Sequence, residues 1–587
     1  MKPSLAVTGV LFLFLSNMAR GAAQSGPAAA DPREILSPTL GRPVFVAPGG
    51  VFHALLSAAG APGETLAFAL DSRQEPPVRV ALSFAPDEQA AALRELVELR
   101  VPSDLPPRTY DLELRLGDTV VRQRHCVAVG PPRTPLRLVH LSNMNIGDLS
   151  APCFDERLID EVNLIAPDAL LLTGDLVDAT HPDPPRGWRG LVDFLARFEA
   201  PAIIARGDHD DPELYRRHVA PADVGEVLIG ELRALVLSDA AVSGRADLEL
   251  IAWAERALAQ PGDARLTFVV AHDRFPSLLG YWRDRGALPD AIRKARLGLW
   301  LAGGHDDWNN VENASLIAAA APLLYVRTHQ SSPATIGGAS GVSHYRVLDV
   351  SASRAEFPGA ADDQGRLPAS LAAGAVQCWV EGGGGAASRA TLHAVSRLPV
   401  RIERLRQRVL LPRHGATAPW VQGGRLAAVF EHERIWECLV ELDLSDLGVA
   451  RAVVGSDEPP AAQRLDVRIT APETLVFRRR ATADGLAYAS LSGADVLISI
   501  HNADQAGVEV TPTVRLAGER VAYRVAGTTE PFAGGMQLGL PAGAGVALEL
   551  DLSAVRIATG RRDIQVYLAA GERLLSQARA VEILLEP

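Results

Sequence analysis

Five short polar clusters in the middle of this 587-residue chain gather the residue types that hold metal ions and move protons. They are Ser142-Asn143-Met144-Asn145, Gly174-Asp175-Leu176-Val177-Asp178, Gly207-Asp208-His209-Asp210-Asp211, His272-Asp273 and Gly303-Gly304-His305-Asp306-Asp307. Each follows a short unbroken apolar run: Leu136 to Leu141, Ala169 to Thr173, Ala202 to Ala205, Leu266 to Ala271 and Leu297 to Ala302. Runs of that length read as fully buried strands. The loops after such strands are where α/β sheets collect ligand groups. One cluster would carry little weight, but a series of five, each after a buried strand, specifies a site. Ionisable groups gathered there need partners, since an unpaired buried charge is costly. Glycines before Asp175, Asp208 and His305 let the backbone turn sharply beneath a ligand.

The elements that must position these loops are legible around them. Phe154, Leu158, Ile159, Val162 and Ile165 recur at helical spacing between the first two strands, and Trp188, Leu191, Val192, Leu195 and Phe198 do so before the third. Residues 132–355 therefore read as an α/β domain with buried sheets. Residues 36–131 alternate short apolar runs (44–46, 51–56, 78–84, 96–101, 110–116, 120–129) with Pro- and Gly-rich turns, the pattern of a β-sandwich. Within them, residues 101–112 (VPSDLPPRTYDL) resemble the penultimate turn and strand of immunoglobulin-like accessory domains. Residues 24–35 and 356–372 read as linkers. Strand-rich sequence follows, divided into a β-rich domain over 373–495 and a C-terminal β-sandwich over 496–587.

The order of the five clusters resembles the calcineurin-like metallophosphoesterase family. Its pattern is Asp-x-His, Gly-Asp-x-x-Asp, Gly-Asn-His-Asp/Glu, a lone His, then Gly-His-x-His. The resemblance implies a four-layer αββα sandwich holding two metals bridged by one aspartate, with a metal-activated water attacking a phosphate ester. By that resemblance Asp175 is the bridging aspartate and Asp178 completes its motif from behind the ligands. His209 lies near the leaving-group oxygen, with Asp210 orienting it. His272 and His305 hold the second metal. Four positions depart from the pattern: Asn143 replaces Asp, Asn145 replaces His, Asp208 replaces Asn and Asp307 replaces the last His. One half of the implied centre is thus complete in Asp175, Asp208, His272 and His305, a set that suits Zn, Mn or Fe. The other half, Asn143, Asn145, Asp175 and Asp307, offers only oxygen donors and should prefer Ca, Mg or Mn, or stay empty.

Two functions are compatible with that altered set. In one, the chain is a hydrolase, a phosphomonoesterase or phosphodiesterase acting with one tight metal and His209. In the other, the phosphoesterase-like domain is catalytically inactive and serves as a ligand-binding or interaction scaffold with its β domains. The substrate of the first is unspecified, and the β domains of either can bind carbohydrate, peptide or protein. No Gly-x-Ser-x-Gly elbow or P-loop offers a third chemistry. His140, His218, His329 and His344 read as packing or surface residues, Asp211 and Asp306 as solvated neighbours of the motifs, and Trp282, Trp300 and Trp308 as core or rim.

The rest of the chain bounds its setting. Nearly half the residues are apolar (48%) and 22% are charged, an ordinary globular balance. The formal net charge of −12 and the lack of a long basic run argue against a nucleic-acid partner. Lys2, the apolar stretch Leu5 to Leu15 and the small residues Gly21-Ala22-Ala23 have the layout of a cleaved secretory signal over residues 1–23. No later stretch is long and apolar enough to span a bilayer. The expected location is therefore exported, periplasmic or extracellular. There an even set of cysteines permits the disulfides Cys126–Cys153 and Cys378–Cys438, the alternative being buried thiols that pack as small apolar residues.

Overall fold

The computed structural model describes residues 34–586 apart from 58–64, 73–76, 85–95, 117, 148–153, 239–247, 261, 273–295, 304–310, 314–322, 329–330, 332–342, 352–354, 357–369, 383–386, 398–400, 414–417, 445–447, 458–464, 483–484, 491–495, 517–518, 530–532, 554, 556–559 and 571–572. The secretory signal, Cys153, His305 and Asp307 lie outside the described residues. The chain divides into two compact units, residues 1–357 with 369–373, and residues 358–368 with 374–587.

The first unit opens with eight strands: β1 (Ile35–Ser37), β2 (Val44–Val46), β3 (Val51–Leu56), β4 (Thr65–Asp71), β5 (Val78–Phe84), β6 (Leu96–Arg100), β7 (Arg108–Leu116) and β8 (Thr119–Val129). They form one hydrogen-bonded path, β1-β3-β6-β5-β4-β7-β8-β2. Alternate residues of both halves, among them Phe52, Ala54, Ala69, Leu99, Leu112 and Val127, share one core. Strands β1 and β4 are not among the expected strands: β1 has only three residues, whereas β4 carries a continuous apolar run, Leu66 to Leu70. Tyr110 Oη donates to the carbonyl of Pro106 at 2.8 Å, pinning the turn into β7 as in the tyrosine corner of Greek-key sandwiches.

The α/β part follows with β9 (Leu136–Leu141), α1 (Arg157–Ile165), β10 (Ala169–Thr173), α2 (Pro184–Leu195), β11 (Ala202–Ala205), α3 (Pro212–His218), β12 (Val224–Ile229), β13 (Leu232–Leu237), α4 (Leu248–Ala259), β14 (Leu266–Ala271), β15 (Leu297–Ala302), β16 (Val311–Asn313), β17 (Leu324–Arg327), β18 (His344–Val350), β19 (Ala355–Glu356) and β20 (Leu371–Ala372). One sheet runs β11-β10-β9-β18-β19, with β20 also on β18, and the other runs β12-β13-β14-β15-β17-β16. Strands β9, β10 and β11 are parallel, as are β13, β14, β15 and β17. All five expected strands of the α/β domain form over the residues of their apolar runs. Leu138, Leu171 and Ile203 of the first sheet share a core with Val236, Phe268 and Leu301 of the second. Helix α4 buries Ile251, Ala254 and Leu258 with Leu235, Val269 and Trp300 of the second sheet. Strands β19 and β20 reach into both ends of the expected 356–372 linker, which is correspondingly shorter.

Helix ends follow local chemistry. Asp183 and Asp211 precede α2 and α3, each helix beginning with Pro, whose fixed φ suits the first turn. The Asp211 carboxylate accepts from the backbone N–H groups of Glu213 and Leu214, both at 2.9 Å. Asp211 is therefore the cap of α3 rather than a merely solvated neighbour.

The second unit is all strands among its described residues. Strands Val376–Gly382, Arg389–Ser396, Val449–Gly455 and Trp420–Gln422 form one sheet, and Ile402–Pro412, Ile435–Leu444 and Arg425–Glu431 another. Beyond them Leu465–Thr470 pairs with Leu497–Asn502, and Thr474–Thr482 with Arg573–Glu586, around a core that includes Phe477, Ile498, Val514 and Leu548. The boundary expected at 495/496 thus falls inside residues that share one core. The expected Cys378–Cys438 disulfide does not form. Cys126, Cys378 and Cys438 are free thiols, and burial raises the latter two to about 11. They sit as small apolar side chains in strands of different sheets, Cys378 in Val376–Gly382 and Cys438 in Ile435–Leu444.

Candidate metal centre

The parallel strands deliver their polar ends to one place. The loop after β10 begins with Gly174 at φ +89°, followed by Asp175 at φ +52°. A Cβ on Gly174 would lie 2.6 Å from the backbone N of Gly207, and one on Gly207 would lie 2.1 Å from Asp175 Oδ1. The two loops therefore pack with no room for a side chain between them, which is why glycine precedes both aspartates. Asn143 and Asn145 after β9 also sit at positive φ, +48° and +46°. Short polar side chains tolerate that conformation best, and clustering of such residues is typical of functional sites.

Side chains converge on His272, at the end of β14. Its Nδ1 lies 2.6 Å from the Thr173 carbonyl, so that nitrogen donates and Nε2 is turned to the carboxylates. Nε2 is 3.0 Å from Asp208 Oδ1 and 3.3 Å from Asp175 Oδ1. This contact holds the Asp208 carboxyl well below its ordinary range, against the effect of burial. Burial acts to lower the His272 imidazole, but the two carboxylates outweigh it and hold it well above its usual value. Asp175, Asp208 and His209 each present a ligand atom within 4.8 Å of the others. The Asp175 and Asp208 carboxylates with His272 Nε2, its ring fixed by a carbonyl behind it, fit a divalent cation, and His209 stands beside them.

His209 stands on the open side of this group, its side chain 57% exposed. Its Nδ1 is 3.3 Å from Asp178 Oδ2, and its backbone N–H donates to Asp175 Oδ1 at 3.2 Å. Asp178 is itself fixed by the hydroxyl and backbone N–H of Thr180, at 2.6 and 2.7 Å. Burial acts to lower the His209 imidazole, and the charges of Asp175, Asp208 and Asp178 raise it overall.

Asp210 corrects an expectation. Its carboxylate does not orient His209; it turns inward and accepts the backbone N–H groups of Leu176 (2.7 Å), Val177 (2.9 Å) and Gly207 (2.8 Å). It ties the second and third loops together, while Asp178 takes the His209 ring. Burial and the Asp175 charge push the Asp210 carboxyl up to about 6 in spite of those amides.

Asn143 also departs from the oxygen-donor role expected of it. Its Oδ1 accepts from Ser142 Oγ at 2.7 Å, and its Nδ2 donates toward Asp175 Oδ2 at 3.5 Å. The amide nitrogen, which is no metal ligand, faces the aspartate. The backbone N–H of Asn145 donates to the Asp175 carbonyl at 2.8 Å. Thr173, Ser142 and Thr180 escape sequence reasoning, because a hydroxyl or a carbonyl acting behind a ligand leaves no motif. His140 is structural, as expected: it is buried between Thr173 Oγ1 at 2.9 Å and Thr328 Oγ1 at 2.7 Å.

Residues 144–333 match the family model for calcineurin-like phosphoesterase. They form a calcineurin-like phosphoesterase domain. A cAMP/cGMP dual specificity phosphodiesterase of Mycobacterium tuberculosis is 31% identical over 199 residues, which are 29% of this chain and 62% of that protein. A probable cyclic nucleotide phosphodiesterase of Rhodococcus erythropolis is 29% identical over 197 residues, 29% of this chain and 65% of that protein. The chain thus spans less than two thirds of the length of either relative. Among solved structures, a purple acid phosphatase from yellow lupin seeds aligns with 12% identity and a TM-score of 0.32, covering 62% of this chain and 73% of that one. The matched residues lie within the α/β region, leaving β9 and β18 to β20 outside, and contain all the loops described above except Asn143 and Ser142, which immediately precede them. No helix among the described residues is long and apolar enough to cross a membrane.

Proposed function

We propose that this chain is an exported, metal-dependent phosphoesterase, and that its substrate is a phosphodiester. The observation that carries the activity is the approach of Asp175 and Asp208 to His272 Nε2, with His209 beside them. The diester class rests on the two cyclic nucleotide phosphodiesterases that share this domain. Export rests on the layout of residues 2–23. The family frame for such a site is a four-layer αββα sandwich, here beside an immunoglobulin-like domain.

Asp175, Asp208, His272 and His305 would hold one transition metal of the Zn, Mn or Fe type. When bound, that cation supplies Lewis-acid polarisation of a phosphoryl oxygen and a more acidic water. The chain's own residues do the rest. Thr173 keeps His272 in one tautomer, and Asp210 holds the two carboxylate loops at fixed separation. Water forms a bond to phosphorus as the bond to the leaving oxygen breaks. His209, whose imidazole the surrounding carboxylates raise and which Asp178 orients, gives its proton to that oxygen, while the proton released by the attacking water passes to solvent. The second position, which by the family pattern would draw on Asn143, Asn145, Asp175 and Asp307, would be weak, filled by Ca, Mg or Mn, or unused; Asn143 is hydrogen-bonded to Asp175 there. The test is hydrolysis of 3′,5′-cyclic AMP and of bis(p-nitrophenyl) phosphate by the purified protein with Mn²⁺, Zn²⁺ or Ca²⁺. Turnover that needs a transition metal and collapses in Asp208→Ala is expected. Absence of turnover with every metal overturns the proposal.

An inactive scaffold is the second reading, favoured by one observation. The second unit holds a cleft of about 530 Å³ lined by Arg401, Arg404, Arg425, Gln565, Tyr567 and Gln577, and it contains none of the centre's residues. Saccharide or peptide binding lost in Arg404→Ala, in a protein that hydrolyses nothing, would select that reading.

A further inference from the structure

The loop that carries Asp208, His209 and Asp210 is held from outside the phosphoesterase domain. Strand β11 is the edge of its sheet. Residues Thr39–Arg42, in the turn between β1 and β2, lie along that edge. Thr39 and Arg42 bond to each other through their backbones at 3.0 and 3.1 Å, closing a tight turn. At its tip the Gly41 carbonyl accepts from the Ile204 N–H at 3.2 Å, and the Gly41 N–H donates to the Val219 carbonyl at 3.0 Å. A Cβ at Gly41 would lie 2.5 Å from Val219 Cγ1, so only glycine can enter. Arg42 is buried (6% exposed), and its Nη1 donates to the Gly41 carbonyl at 2.8 Å and to the Ile204 carbonyl at 2.5 Å. Its Nη2 reaches Tyr215 Oη at 3.3 Å, and that hydroxyl also donates to the Ile204 carbonyl at 2.8 Å. Tyr215 belongs to α3, the helix that the metal-centre loop runs into.

Ile204 lies just before the loop and Val219 just after α3. The segment between them is thus gripped at both ends by two consecutive residues of the N-terminal β region. An exposed surface contact would not require a buried guanidinium on main-chain carbonyls, nor a glycine against Val219.

We propose that Gly41 and Arg42 are positioning residues of the metal centre, and that the N-terminal β region is a built-in part of it. The Ile204 carbonyl, which accepts from Arg42 Nη1 and from Tyr215 Oη, is thereby fixed, and this sets where β11 ends and hence where Asp208 and His209 stand relative to Asp175 and His272. The naming of those four as site residues rests on the phosphoesterase reading; the grip itself does not.

The experiment uses the full chain in three forms: Arg42→Ala, Arg42→Lys, and Leu112→Ala as a control that weakens the N-terminal core away from the turn. Hydrogen exchange is followed in metal-free protein, and Co²⁺ affinity and absorption are followed at a temperature where all three are folded. Arg42→Ala should speed exchange at residues 205–214 by about tenfold while β9 and β10 keep their protection. It should also weaken Co²⁺ by about tenfold and alter its visible spectrum, as loss of a residue behind the ligands does. Arg42→Lys, which keeps one donor, should fall between. Unchanged exchange and Co²⁺ binding in Arg42→Ala overturn the proposal, as does an equal effect of Leu112→Ala. A wild-type protein that hydrolyses no ester, yet whose loop is still loosened by Arg42→Ala, contradicts the activity and leaves the positioning role standing.

Discussion

At the scale of single residues, the centre works through a division of labour between neighbouring aspartates. Asp178 faces the His209 ring, and Asp210, two positions from Asp208, faces only backbone. His209→Ala should therefore lower turnover by about a hundredfold or more while leaving the metal in place, since general-acid catalysis is lost and the carboxylates are not. Asp178→Asn should act through pH instead. Removing that negative charge lowers the His209 pKa, so the protonated acid is lost sooner and the basic limb of the pH–rate profile moves to lower pH. A profile of kcat against pH for both proteins checks this. His140 gives a stability prediction of its own. Burial, and then the Arg346 charge, press it from 6.5 to about 3. The unfolded chain therefore binds a proton that the folded one refuses. Stability present above pH 6.5 is lost as pH falls towards 3, by about 5 kcal/mol at most. Denaturant melts from pH 7 to pH 4 should show that slope, and His140→Gln should flatten it.

At the scale of elements, the strand ends matter more than the strands. Gly207→Ala should abolish metal binding even though β11 survives, because its methyl group would collide with the Asp175 carboxylate and backbone. Isothermal titration with Mn²⁺, beside circular dichroism to confirm folding, separates the two effects. The five buried strands and their polar ends were legible because continuous apolar runs punctuated by Gly-Asp or His have few other readings. The role of Asp210 was not legible, because Gly-Asp-His-Asp places two carboxylates around one histidine and only the backbone decides which one faces it. Asn143 was read as an oxygen donor from its type, whereas its orientation is set by Ser142 Oγ, a contact that no spacing announces. The turn at Gly41 was missed for the same kind of reason, since single-residue contacts carry no period; strand β4, by contrast, has a continuous apolar run, Leu66 to Leu70, and was legible. The pairing of cysteines by domain also failed, since Cys378 and Cys438 lie in different sheets and take the place of small apolar residues.

At the scale of the whole molecule, the chain falls into an N-terminal unit with the centre and a C-terminal unit of strands. The division gives a direct expectation. A protein ending at Ala373, which keeps β20 on β18, should fold and retain its metal affinity and turnover within about a factor of two, because the described residues of the centre all belong to the first unit. Ending it at residue 343, which removes β18 from beside β9, should unfold the first sheet. Thermal melts of the two truncated proteins decide between these outcomes.

We propose that one half of the centre, built on Asp175, Asp208 and His272, supports metal-dependent phosphoester hydrolysis. The most direct measurement removes metal from the full-length protein with chelator and restores it stepwise with Mn²⁺ while turnover of bis(p-nitrophenyl) phosphate is followed. Activity should return and saturate near one equivalent of tightly bound metal per chain, and should fail to return in Asp208→Ala. Turnover that persists without metal, or that never appears at any metal loading, would contradict the proposal.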